Sequence, residues 1–302
     1  DGPMASSSKA TRGVVATLIG GTCWGFSGTC AKFLMDGYGV DPVWIVCVRQ
    51  FFASWLFLAA ALASPVDRKQ PAGLVREVCH NWRTLALVAV TAACMMVNSV
   101  CYIVTVKVTN SATATVLQTL ALVVLMVYSC MRKRRGPRHR ELAGLFLALG
   151  GTYLIATGGD PTHLAMPVEG LAWGLATCAT YALYSAVPEG LLKRWGSPAV
   201  NGVTMLASGT VLLVATRPWE SVPALDAAGV VGVVAIVVVG TFLAYALYMQ
   251  GVKDLGPLRA SMLGTSEPIA ATVFSMLWLG TAFAPTDLAG FAMIIAMVYL
   301  TA

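Results

Sequence analysis

Apolar runs separated by short polar breaks recur along the whole chain, and most of them match the roughly 20 residues that carry a helix across a bilayer. In the first half they lie at 13–34, 42–63, 84–106, 111–131 and 141–158. After a break at Gly159-Asp160-Pro161 they continue at 167–186, 199–215, 227–250, 257–279 and 286–302. Pro42, Pro167 and Pro257 open three of the runs, where a missing N–H leaves no helical hydrogen bond unmade. The pattern predicts an all-α polytopic membrane protein with ten transmembrane helices.

Composition agrees. Only 11% of residues are charged and 57% are hydrophobic, with mean hydropathy +0.74. A soluble domain carries about 25% charged residues, so this chain has too few to cover a water-facing surface. The first run is too long for a signal-peptide core and is read as helix 1. Residues 1–12 are read as a tail whose Asp1-Gly2-Pro3, ahead of Met4, looks like the remnant of a cleaved tag.

Charge sets the orientation. With the N-terminus inside, fifteen basic residues fall on the cytoplasmic side, at Lys9 and Arg12, 68–83, 132–140, Lys193 and Arg194, and Lys253. The opposite loops hold only Lys107 and Arg217, so both termini are expected in the cytoplasm. The Arg132-Lys133-Arg134-Arg135 run reads as part of this topology signal, with some attraction to anionic lipid, rather than as a nucleic-acid patch.

Chemistry-bearing clusters are lacking. Seven of the eight cysteines lie inside apolar runs without a C-x-x-C pair, and His80, His139 and His163 fall in separate loops. Without a phosphate loop, an HExxH or a nucleophile elbow, the sequence predicts no metal, no cofactor and no enzyme.

Sliding the chain against itself by 146 residues aligns Tyr102 with Tyr248, Lys107 with Lys253 and Leu117 with Leu263. Thr119 then meets Thr265, and Leu142-Ala143-Gly144 meets Leu288-Ala289-Gly290; 14 of 55 positions match without a gap. Near this offset Trp24-Gly25 matches Trp173-Gly174. The halves are placed at 13–158 and 167–302, with a linker at 159–166. Five helices per half is odd, so the second half enters the membrane inverted. A 5+5 inverted-topology repeat is the physical basis of alternating access.

Ten spans, the repeat, Cys23-Trp24-Gly25-Phe26-Ser27-Gly28 in helix 1, Arg49 early in helix 2 and Glu267-Pro268 in helix 9 together resemble an EamA-type member of the drug/metabolite transporter superfamily. The YddG-type amino-acid exporters are the branch named first. The resemblance implies a bacterial inner (plasma) membrane protein that exports amino acids (aromatic or other neutral) or similar small metabolites. Two departures stand out: Leu279-Gly280-Thr281 lacks the family's acid after helix 9, and Ala121-Leu122 replaces a Glu-Pro pair in the first half.

Depth along the runs selects Trp24, Asn98, Gln118, Trp173, Tyr181 and Tyr245 as candidates to line a substrate cavity near the midplane. Coupling or gating falls to Glu267, Pro268 and Arg49. Glu267, the one acid mid-run, reads either as a substrate- or proton-responsive carboxyl or as a structural acid bracing a kinked helix. Arg49, roughly 10 Å into helix 2, reads either as a carboxylate or gating contact or as a fixed bond to carbonyls at the helix 1–2 turn. The expected partners are a small-molecule substrate, the bilayer and protons as coupling ion, with no nucleic acid; oligomeric state is open. Multidrug or quaternary-cation efflux, and a passive facilitator or channel, remain as alternatives.

Overall fold

A computed structural model describes residues 3–64, 67, 69–162 and 164–301. Arg68 of the basic set, His163, and Asp1, Gly2 and Ala302 lie outside the described residues. Among the described residues the chain is all-helical, with no strand. The first half holds α1 (Pro3–Tyr38), α2 (Pro42–Ala63), α3 (Gln70–His80), α4 (Trp82–Val108), α5 (Ser111–Thr119), α6 (Ala121–Arg132) and α7 (His139–Thr157). The second holds α8 (Val168–Ala186), α9 (Glu189–Trp195), α10 (Ser197–Thr216), α11 (Ala227–Val237), a π-helical turn (Val238–Leu243), α12 (Ala244–Leu255), α13 (Pro257–Leu263), α14 (Ser266–Leu279) and α15 (Pro285–Thr301).

Each of the ten apolar runs falls on a helix or on successive helices. Among the described residues, six stretches are both long and apolar enough to cross a bilayer: Lys9–Tyr38, Pro42–Ala63, Trp82–Val108, Ser111–Arg132, Ser197–Thr216 and Ala227–Leu255. The other four runs form α7, α8, α13 with α14, and α15, which are shorter, interrupted or more polar. Local chemistry starts several helices. The Asp41 carboxylate accepts from the Val43 and Trp44 amides with Pro42 at the first helical position of α2. Asn110 accepts from the Thr113 amide at 2.8 Å to begin α5, and Asp226 accepts from Gly229 to begin α11.

With the runs of each half taken in order, α1 corresponds to α8, α2 to α10, α4 to α11–α12, α5–α6 to α13–α14, and α7 to α15. The main helix pairings are kept when the halves are exchanged. Helix α1 lies on α12 and α14, while α8 lies on α4 and on α5–α6. Helices α2 and α7 each pack on their own counterparts, α10 and α15. At the α7–α15 crossing Gly151 and Gly290 meet reciprocally: a Cβ on either would stand 2.8 Å from the other's carbonyl oxygen.

Both corresponding helix pairs are broken at nearly the same register. Helix α5 stops at Thr119 and α6 starts at Ala121; within two residues of the positions 146 further on, α13 stops at Leu263 and α14 starts at Ser266. In the second break Pro268 lacks an amide to donate to Gly264, and the Gly264 carbonyl accepts instead from Glu267 N at 3.0 Å.

Contacts between loops separate the two ends of the bundle. One end, called the basic end below, gathers α3 and α9, the Arg12–Asp254 pair at 2.8 Å, and Arg132 within electrostatic reach of Glu189. At this end Leu74 and Val78 of α3 pack with Leu191, Leu192 and Trp195 of α9, and Arg194 donates to Glu77 at 2.8 Å. The sequence pattern treated both segments as loops.

Candidate functional site

Between the halves lies a cavity of about 280 Å³. Its inner wall is Trp24 and Ser27 of α1, Arg49 and Gln50 of α2, and Asn98 and Tyr102 of α4. The second half supplies Tyr181 and Tyr184 of α8, Gly240 and Thr241 of the π-turn, Tyr245 and Tyr248 of α12, and Glu267 of α14. Five of the six residues expected to line a cavity do so: Trp24, Asn98, Gln118, Tyr181 and Tyr245. Trp173 does not line it. It sits a turn and a half into α8, on the half whose counterpart, α1, presents Trp24 to the cavity.

The aromatic groups form two clusters on the wall. The ring of Trp24 lies 5.1 Å from Tyr248 and 6.3 Å from Tyr245, Tyr245 lies 5.4 Å from Phe57, and Tyr181 lies 6.4 Å from Tyr184. Hydrogen bonds hold their polar tips: Tyr245 with Ser197 at 2.7 Å and Tyr102 with Thr115 at 3.0 Å. Asn98 is oriented by the Thr180 hydroxyl, which donates to its carbonyl oxygen at 3.2 Å. Gln50 is clamped between Ser99 and Ser208.

The acid and the base of the cavity stand differently. Among the described residues no hydrogen bond or ion pair reaches either the Arg49 guanidinium or the Glu267 carboxylate. Arg49 therefore makes no fixed bond to carbonyls at the α1–α2 turn. The backbone of the break is closed without the Glu267 carboxylate, by the Glu267 amide and by Thr265, whose hydroxyl donates to the Met262 carbonyl at 2.7 Å. The start of α14 is pressed against α1. A Cβ on Gly25 would stand 2.7 Å from Glu267 O and Ala271 N, so only glycine permits this approach.

A side chamber of about 110 Å³ shares Trp24, Gln118, Tyr181, Tyr248 and Glu267 with the main cavity. Thr119, Leu122, Gly264, Thr265 and Pro268 also line it, so the two helix breaks face one space. Pro268 thus borders the side chamber, and Glu267 borders both.

The cavity extends to exposed Ser185 and to Pro188, Leu192 and Met249 at the basic end. Away from that end it is shut. Gly240 lies so close to Ser27 that a Cβ on it would collide with that side chain, and the hydroxyls of Thr29, Ser111 and Ser275 form a buried chain with links of 2.8 and 2.9 Å. Phe26, Phe33, Phe274 and Trp278 stack beyond it. At the far end Tyr38 donates to Asp226 at 2.6 Å and Trp44 to the Pro218 carbonyl at 3.3 Å. The Tyr38 hydroxyl, and after it the Gly229 amide, hold the Asp226 carboxyl below the usual aspartate range. Among the described residues no group of three or more His, Cys, Asp or Glu comes together as a metal site would require.

The profile of the EamA-like transporter family matches residues 11–157 and matches again over residues 168–302. The chain belongs to the EamA-like transporter family. A Salmonella typhimurium member, described as the uncharacterized inner membrane transporter YicL, is 27% identical over 290 residues, covering 96% of this chain and 94% of its own. PecM of Dickeya dadantii is 24% identical over 258 residues, covering 80% of this chain and 83% of its own. A solved crystal structure superposes on this EamA-like chain with a TM-score of 0.65 at 17% identity, covering 97% of this chain and 96% of that one. At that identity the likeness is one of fold.

Proposed function

We propose that this multi-pass bacterial inner-membrane transporter is a secondary active carrier that exports amino acids, aromatic or other neutral, or similar small metabolites by alternating access. Ten spans, as two inverted five-helix halves at 13–158 and 167–302, are supported by three findings. The family profile matches twice, the main helix pairings survive exchange of the halves, and both halves break within two residues of the same register. The fifteen basic residues support a cytoplasmic position for the basic end and for both termini.

One observation carries the reading: a single cavity between the halves reaches the basic end and is closed at the other. A cytoplasm-facing, outwardly sealed cavity is the loading state of an exporter. Its wall of aromatic rings and uncharged polar groups, with one cation and one anion, suits a neutral or zwitterionic metabolite. Broken helices at the binding site are the device by which transporters present backbone groups to substrate and coupling ion. Among the described residues Glu267 is the one acid lining the cavity, and we assign it the proton-responsive role.

A second reading, efflux of a quaternary cation, draws on the same aromatic wall. Counterflow in proteoliposomes loaded with an amino-acid panel, for the wild type and Glu267→Gln at two pH values, separates these. Saturable amino-acid counterflow whose pH response is lost in the variant is the expected result. Movement of a lipophilic cation but of no amino acid selects the second reading. Conductance without counterflow selects a passive channel.

A further inference from the structure

The opposite charges of Arg49 and Glu267 share one cavity without meeting a partner. Ion pairs do form elsewhere in the chain: Arg12 with Asp254, Lys32 with Asp36, Arg135 with Glu141, and Arg194 with Glu77. These pairs lie at helix ends and in loops, where water makes a partner least necessary. Arg49 and Glu267 lie within the apolar runs, where an unpaired charge is most expensive. Both line the one cavity of about 280 Å³, as does Tyr102.

We infer that the two charges hold the opposite poles of one zwitterion, an α-amino acid. Arg49 takes the carboxylate, with a planar fork of donors suited to two oxygens. Glu267 takes the ammonium. The rings of Trp24, Tyr245 and Tyr248 flank the side chain. The inference deepens the transport reading above and rests on it. It also predicts selection against charged solutes. A quaternary cation meets Arg49, and a dianion meets Glu267, whereas a zwitterion satisfies both and adds no net charge to a water-poor site.

The test uses three probes that share one ring: L-phenylalanine, phenethylamine, which lacks the carboxylate, and 3-phenylpropionate, which lacks the ammonium. Each competes for amino-acid counterflow in proteoliposomes. Wild-type protein is expected to take phenylalanine at least about tenfold better than either partial probe, the loss of one charge-assisted contact. Arg49→Gln abolishes the preference over phenethylamine and keeps that over phenylpropionate; Glu267→Gln does the reverse. Arg49→Lys retains part of the first preference, which a purely structural role for Arg49 does not predict.

Equal treatment of the three probes by the wild type overturns the assignment whatever the variants do. So do variants that scale all three probes alike, while wild-type phenylalanine counterflow then leaves the transport reading standing. If the wild type moves no amino acid but moves tetraphenylphosphonium, it is the transport reading that falls, and the zwitterion site falls with it.

Discussion

Single residues decide how closely the helices around the cavity approach. Gly25 is the clearest case, because the atoms that a Cβ would meet, Glu267 O and Ala271 N, are backbone atoms that cannot swing aside. Gly25→Ala is expected to destabilise the detergent-solubilised protein by about 1–3 kcal/mol, the usual range for overpacking. Thr22→Ala, on the exposed face of the same helix, is expected to leave the melting temperature unchanged. A Gly25→Ala protein that melts like the wild type refutes the close α1–α14 contact. At the far end, Asp226 offers a pH test. Its folded carboxyl titrates below the unfolded value, so its tether to Tyr38 contributes above about pH 3.9 and is lost as pH falls through the folded value. Tyr38→Phe removes the largest cause, so the Asp226 titration, followed by NMR of labelled aspartate, is expected to move upward toward the ordinary range. An unmoved titration shows that the Tyr38 hydrogen bond is not what lowers it.

At the scale of elements, the helices were legible where a run was long and apolar, and α2 appears at its expected bounds. The break in the second half was also legible, because Pro268 announces a lost hydrogen bond. Its partner at Leu120 was not: Ala121-Leu122 carries no proline, yet the helix breaks there too. Packing common to both halves, rather than proline, therefore sets the break, and proline reinforces one copy. Helices α3 and α9 were missed for a different reason. Their lysines and arginines had been counted as a topology signal, which obscured the apolar faces at Leu74 and Val78 and at Leu191, Leu192 and Trp195. The break yields a prediction of its own. Pro268→Ala supplies an amide that competes with Glu267 N for the Gly264 carbonyl, favouring a straighter helix by about 1 kcal/mol, roughly fivefold in population. The variant is expected to melt at or above the wild-type temperature while its counterflow rate falls severalfold. Full transport at unchanged stability shows that the proline is not needed to place Glu267.

At the scale of the whole molecule, the site residues were chosen by depth along each run, and depth is the same in both halves. Accessibility is not the same. Any one conformation of two exchangeable halves exposes one set of counterparts and covers the other, so depth finds Trp24 and Trp173 together while the structure opens the cavity only to Trp24. Sequence cannot distinguish them, because the distinction belongs to the conformation and not to the residues. The proposed alternating access makes this asymmetry measurable. In a protein whose eight native cysteines are replaced, a cysteine at Trp24 is expected to react with a membrane-impermeant thiol reagent applied from the cytoplasmic face. A cysteine at Trp173 is expected to react from the opposite face, and only once the carrier turns outward. Saturating substrate on the cytoplasmic side drives that turn, so labelling at Trp24 should fall as labelling at Trp173 rises, by comparable factors. A rise at both positions together describes an open channel, and no change at either describes a rigid scaffold. Only opposite changes require two halves that exchange conformations around one cavity.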